Sequence, residues 1–458
     1  MLLLNARVID GTGRRPVANA ALRIEGGRLI EVGAGAVGRS ETVHGSGGAL
    51  DCAGRTVLPG LIDAHAHIYS DVARSPGFGP PPALAGELPR PRELGYFLLA
   101  KTAAALLAAG VTSVRDVGSY DDEAIALREA VRLGIVPGPR LLSCGRIISA
   151  TAPGGVLFGT MYREADGPDD MRKAVREQLR RGADFIKLMA TGARSVLAED
   201  PEPAQMTAVE LHALVDEAHR LGLRVAAHVE GLAGARIAVG EGVDTIEHGL
   251  SLHREPALLQ AMAERGIVLV PTLTTFHDLA ERFTDAFAPA LAEQAKRQLE
   301  EAYLTLAAAR DAGVILAMGH DSGPPGDNAI ELVRMAAGGL SALQAIEAAT
   351  HGSARALGLA DVGTLTPGAV ADVLIVDGDP LADVSVLNTP ERIWLVLKDG
   401  EPVAGRAMRD GSLLSVTGAQ ARGCRVITVS SGGFKTIPGW LRTSLAGIGI
   451  SRFCCLRI

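Results

Sequence analysis

The sequence predicts an α/β protein, a (β/α)8 TIM-type barrel joined to a small β-sandwich built from both ends of the chain. Three observations carry this expectation. From Val57 onward, short apolar runs alternate with helical stretches, the pattern of a parallel sheet with crossover helices. Before and after that region the texture is β alone. The length, 458 residues, leaves room for a barrel of roughly 250 residues or more plus an accessory domain. The expected organisation is 1–56 for the first part of the sandwich, 57–357 for the barrel, 358–412 for the second part of the sandwich and 413–458 for an atypical basic tail.

Taken in order, Leu2–Ile9 reads as a strand that runs into a glycine-rich turn at Asp10–Gly13. Ala21–Glu25 and Arg28–Val32 flank Gly26 and Gly27, a hairpin signal. The run ending at His67 opens the barrel. Ser113–Val117, Arg140–Cys144, Phe185–Met189, Arg224–His228, Thr245–His248, Val268–Thr272 and Val314–Met318 supply the further strands, giving eight between His65 and Asp321. Between them, Met171, Ala174, Val175 and Leu179 repeat at helical spacing, as do Leu211, Leu214, Val215, Ala218 and Leu221. These stripes face the core and stop at Gly182 and Gly222. After Gly358 the β texture returns at Gly363–Leu365, Ala371–Val376 and Ile393–Gly400. Barrel termini lie close enough for the two end pieces to pair.

Composition narrows the function classes. Forty-five Lys and Arg against 52 Asp and Glu, a net charge of −7, argue against nucleic acid, which needs a concentrated basic face. No signal-peptide pattern and no apolar run of membrane-spanning length appears, so a cytoplasmic protein that acts on a small molecule, without membrane contact and as a homo-oligomer, is expected. Five cysteines without Cys-x-x-Cys spacing indicate neither a disulfide framework nor a thiolate metal site. Beyond Ser412 there are six Lys or Arg and no acidic residue, an abrupt shift that marks an appended segment with no part in the chemistry.

The chemistry-bearing residues close the strand runs. On an extended strand, the spacing of His65 and His67 aims both imidazoles at one side, although a lone His-x-His is a weak signal. Lys187, His228, His248 and Asp321 each close a later run. In a barrel all strand C-termini point to one face, so these six residues are brought together there.

That set resembles the amidohydrolase superfamily of metal-dependent hydrolases, over roughly Leu2 to Gly405, with Val57–His67 as the entry motif and Asp372–Val376 near its end. The resemblance implies two divalent ions, zinc or a similar transition ion. His65, His67 and Asp321 would hold one and His228 and His248 the other. Lys187, converted by CO2 to a carbamate, would bridge them beside a hydroxide. It also implies that the hydroxide attacks the carbonyl of an amide and that Asp321 accepts its proton. The runs Ile186–Gly192 and Asp244–Gly249, with Gly326–Asn328 before Glu331 and Leu332, look like the branch of prolidase-like dipeptidases, N-acyl amino acid hydrolases and hydrolases of aryl amides or carbamates. A deaminase of the superfamily fits less well, because it usually lacks the strand-four lysine. A hydrolase of cyclic amides or lactones on the same fold, and a metal-binding protein without turnover, are the alternatives.

The chain departs from that branch in ways that bear on specificity. Glu230 stands two residues past His228, where relatives place a Tyr or His that holds a substrate carboxylate, and Arg194 is the residue that could compensate. Ala152–Gly155 replaces a Gly-Gly-His, and His320 precedes Asp321 where Thr is common. His277 and His320 are further candidates for lining the pocket.

Overall fold

The computed structural model describes residues 1–34, 48–69, 93–193, 195–282, 289–322 and 326–410. Arg194 and the basic segment 413–458 lie outside the described residues.

The strands from the ends of the chain are β1 (Leu2–Val8), β2 (Val17–Glu25), β3 (Arg28–Gly33), β4 (Ala49–Asp51) and β5 (Thr56–Pro59). The central region contributes β6 (Leu61–Ala66), β7 (Val111–Asp116), β8 (Arg140–Ser143), β9 (Ile147–Ser149), β10 (Tyr162–Glu164), β11 (Ile186–Met189), β12 (Val225–Val229), β13 (Thr245–His248) and β14 (Val268–Val270). The chain closes with β15 (Val373–Val376), β16 (Ile393–Lys398) and β17 (Glu401–Ala404).

The two ends do pair. Among the described residues they form one eight-stranded sheet, in the order β17-β16-β15-β5-β1-β2-β3 with β4 alongside β1. In place of the expected sandwich the described residues show a single sheet, whose seam is the antiparallel pairing of β5 with β15, Leu58 opposite Leu374. Gly26 and Gly27 have φ of 57° and 77°, and Asp399 and Gly400 have 52° and 79°, so both hairpins turn through two left-handed residues as the right-handed strand twist requires. The sheet's own core is Leu3, Leu22, Leu29, Val57, Ile375, Leu395 and Leu397.

In the central region all ladders are parallel, in the orders β6-β7-β8 and β10-β9-β11-β12-β13-β14. This is a TIM-barrel-like α/β fold, although the ladders do not run as one closed sheet. The eighth run, Val314–Met318, carries only a bridge from Leu316 to Leu269 and amide bonds from Leu269 to Ile315, from Ala317 to Leu269 and from Ala64 to Met318. Glycine is needed here: a Cβ at Gly319 would lie 2.4 Å from Val270 Cγ1 and 2.7 Å from His65 Cβ, so only a bare backbone lets this segment reach β6.

The helices between strands start and stop where the sequence directs. Pro168–Arg181 has Pro at its first turn with Asp169 and Asp170, then Arg180, Arg181 and a left-handed Gly182 at its end. Ala208–Arg220 opens on a capping box between Thr207 and Glu210. Met171, Ala174, Val175, Leu211, Leu214, Val215 and Ala218 are buried against Ile186, Leu188, Val225, Ala227 and Ile246. Leu179 departs from the expected stripe and is exposed. Strand periodicity then decides the site: with Ile186 and Leu188 packed outward, Lys187 faces inward, and His228 and Glu247 do so on β12 and β13.

Candidate active site

At the C-terminal ends of these strands, His65, His248 and Asp321 place one ligand atom each within 4.8 Å of one another. The Nε2 atoms of His65 and His67 both lie 3.3 Å from Asp321 Oδ1. His248 Nδ1 is 3.9 Å from Asp321 Oδ2. The His65 ring centroid lies 5.1 Å from that of His248, which is 4.5 Å from that of His228. Four imidazoles and a carboxylate therefore share one pocket.

A regular strand cannot turn consecutive residues to the same side, yet Glu247 touches His65 and so does the next residue, His248. Left-handed backbone resolves this: φ is 68° at His248, 50° at Thr272 and 51° at Asp321. For a β-branched residue such as Thr272 that conformation is a genuine outlier, and strain of this kind clusters at functional sites.

Each imidazole is held from behind. His65 Nδ1 meets Glu247 Oε2 at 2.7 Å, and Arg115 donates to the other Glu247 oxygen at 2.8 Å. His67 Nδ1 lies 2.8 Å from the Gly118 carbonyl, and His248 Nδ1 lies 2.7 Å from Thr272 Oγ1. His228 Nε2 differs, being buried with no hydrogen-bond partner among the described residues, 3.5 Å from Glu230 Oε1. A buried lone pair without a donor calls for a ligand.

Burial sets the protonation states. It lowers His228 to about 3, helped by Lys187, and holds His248 well below its usual range, so both rings are neutral. Burial also lowers Lys187, 2 % exposed, to about 8, with Glu247 and Asp321 opposing the fall. Burial would raise Asp321, but His65 and His67 outweigh it and keep the carboxyl well below the usual range. In His67 burial is outweighed by Asp321, so this ring is raised.

Of the pocket candidates, Glu230 is buried beside His228, and its amide donates to Thr191 Oγ1 at 3.1 Å. His277 is turned to helical neighbours, with Nε2 at 2.8 Å from the Tyr303 hydroxyl and Nδ1 at 3.4 Å from Glu281. His320 is buried, its amide donating to Asp63 at 3.2 Å and its Nε2 without a partner among the described residues. Residues to which sequence reasoning gave no role stand beside these. Asp63 accepts from the amides of His65 and His320 and from Asn328 Nδ2, tying β6 to the segment before Asp321. Glu247, Arg115 and Glu331 are likewise buried. Asp63, Glu247 and Glu331 lie inside the motifs that carried the resemblance, and a buried charge next to a ligand was the available signal.

The description of the amidohydrolase family matches residues 56–403. The chain belongs to the amidohydrolase family. It is accordingly a hydrolase acting on amide bonds, and a His-His-Asp cluster stands where such enzymes bind divalent metals. An ochratoxinase of Aspergillus niger is 31% identical over 391 residues, 76% of each chain. An imidazolonepropionase of Paracoccus denitrificans is 28% identical over 79% of this amidohydrolase and 88% of the relative. Among solved structures, a Xaa-Pro dipeptidase with methionine bound in its active site aligns with a TM-score of 0.77 and 29% identity, covering 88% of this chain and 98% of the other. Among the described residues, no helix is long and apolar enough to cross a membrane.

Proposed function

We propose that this amidohydrolase is a binuclear metal-dependent enzyme, on a (β/α)8 barrel, that cleaves a C–N amide bond in a peptide, N-acyl amino acid, aryl amide or carbamate. The observation that carries the reading is the convergence of His65, His67 and His248 on Asp321, with His228 packed edge-on against His248 and Lys187 buried nearby. The donor set fits divalent ions of the zinc type: neutral imidazoles, an ionised carboxylate and an orphaned buried nitrogen at His228. His65, His67 and Asp321 would hold one ion and His228 and His248 the other. Lys187, as a carbamate, would be a further oxygen donor to them, and its lowered pKa would supply the neutral amine that CO2 needs.

Divalent ions bound there acidify a water and polarise the scissile carbonyl. The chain's own residues do the rest. Asp321, kept ionised by the two histidines, accepts a proton and delivers it to the leaving nitrogen. Glu247 and Arg115 fix the orientation of His65. Glu230, a buried carboxylate beside His228, disfavours substrates with a free carboxylate close to the scissile bond. Arg194, if it reaches the pocket, would favour them. His320 acts behind Asp321, whereas His277, bonded to Tyr303, is given no role. A Xaa-Pro dipeptidase among the structural neighbours supports a C–N bond as the target. A small-molecule substrate, a cytoplasmic location and a homo-oligomeric state belong to the same reading, as does a division near 357 and 412, with the first boundary moved from 56 to after Pro59 because β5 pairs into the terminal sheet.

The test is metal content together with Lys187→Ala. Wild type is expected to hold about two ions per chain and to hydrolyse members of a panel of dipeptides, N-acyl amino acids, aryl carbamates and lactones. Lys187→Ala should lose tight binding and activity, with partial rescue by short carboxylic acids. One ion per chain, unaffected by the substitution, sinks the binuclear reading. Turnover of lactones alone would replace the amide as substrate.

A further inference from the structure

Glu331 lies in the helix Ile330–Ala337, outside the histidine cluster, yet it is fully buried. Its carboxylate accepts from the amides of Leu273 and Thr274, both at 2.8 Å, and from the Thr274 hydroxyl. Three donors on one buried carboxylate fix the backbone just past β14. The residue immediately before them is Thr272, whose left-handed φ of 50° needs such an external constraint in a β-branched residue. In that conformation Thr272 Oγ1 reaches His248 Nδ1 at 2.7 Å, and Phe276, in the short helix Leu273–His277 that follows, sets its ring edge-on to His248 with centroids 6.1 Å apart.

We propose that Glu331 and Thr272 form a clamp that positions His248. Glu331 holds the 272–274 backbone in its strained turn, and Thr272 Oγ1 accepts from the Nδ1–H of His248, which leaves Nε2 as the nitrogen with a lone pair free to bind an ion. Groups that orient a metal-binding imidazole through its other nitrogen typically govern affinity by about 10–100-fold. Neither residue touches substrate, so both are positioning residues. The ion-binding part of this inference rests on the function proposed above; the orientation of His248 does not.

Two measurements test it on the full-length protein. The first is Zn2+ affinity by calorimetry for Thr272→Val, Thr272→Ser, Glu331→Gln and the Glu331→Gln/Thr272→Val double variant. Thr272→Val keeps the shape but removes the hydroxyl and should weaken binding about 10-fold or more, whereas Thr272→Ser should stay within about threefold of wild type. Because Glu331 acts through Thr272, the double variant should bind no more than about twofold worse than Thr272→Val. Wild-type affinity in Thr272→Val, or full additivity in the double variant, overturns the clamp. The second is the 15N spectrum of the His248 ring in metal-free protein, assigned with His248→Gln. Protonation at Nδ1 in wild type, lost in Thr272→Val and kept in Thr272→Ser, supports the clamp; an unchanged ring spectrum in Thr272→Val overturns it. A wild type that binds no Zn2+ defeats the proposed function, and the ring spectrum then decides the clamp alone.

Discussion

The sheet made from β1–β5 and β15–β17 and the site at the central strand ends are both buried but are filled with opposite chemistry. In the sheet the buried positions are apolar apart from Thr56, whose hydroxyl donates to the Gly378 carbonyl, and the ion pairs, such as Arg7 with Asp379 and Arg23 with Glu25, sit at its partly exposed margin. The pocket buries Asp63, Arg115, Lys187, Glu247 and Glu331 and bends its backbone into left-handed turns at His248, Thr272 and Asp321. A buried charge costs several kcal/mol unless paired, so the pocket carries a burden that the sheet avoids. Stability therefore resides in the sheet and the helix-facing layer, while the barrel mouth is the region where substitutions change chemistry first.

The largest expected contrast comes from Asp321→Asn. It preserves size and one ligand oxygen but cannot accept a proton, so kcat should fall about 10²-fold or more with metal content and Tm nearly unchanged. Near-normal turnover with metal bound would remove its role as base. Next is Leu395→Ala in the core of the terminal sheet, which should lower unfolding free energy by about 2–5 kcal/mol in denaturant titration while kcat per folded molecule stays at the wild-type value. Equal losses of kcat and stability would show that the two regions are not separable. The smallest effect belongs to Arg7→Ala, which breaks a partly exposed pair with Asp379 and should cost no more than about 1 kcal/mol with no kinetic change.

How far the sequence was readable follows the same division. The β/α rhythm predicts the parallel strands, and Lys187 and His228 fall where period two places them. The eighth run was legible as an apolar segment, but its sparse pairing was not, because ladder closure depends on the distances that Gly319 permits. The pairing of β5 with β15 was anticipated from matching texture at both ends, whereas its arrangement as one ladder required coordinates. Within the site, the clustering of His65, His248 and Asp321 can be anticipated from strand-end positions. The partners of those ligands cannot, since Glu247 meets His65 across 182 positions of chain and Asn328 meets Asp63 across 265. The two rings of His277 and His320 illustrate the limit: both follow barrel strands, yet one binds Tyr303 and the other is buried near Asp63 and Asp327.

The seam between β5 and β15 also constrains how the protein is made. β5 can join β1 as soon as Thr56–Pro59 has emerged from the ribosome, but its other edge stays open until β15 is synthesised. At about 5–20 residues per second, the interval is on the order of 15–60 s. Throughout it, Thr56–Pro59 presents an unpaired, largely apolar strand edge, the kind of surface that other chains pair with. A nascent chain of this enzyme therefore needs its edge shielded, by a chaperone or by the growing barrel itself, long before the active-site residues have all been translated.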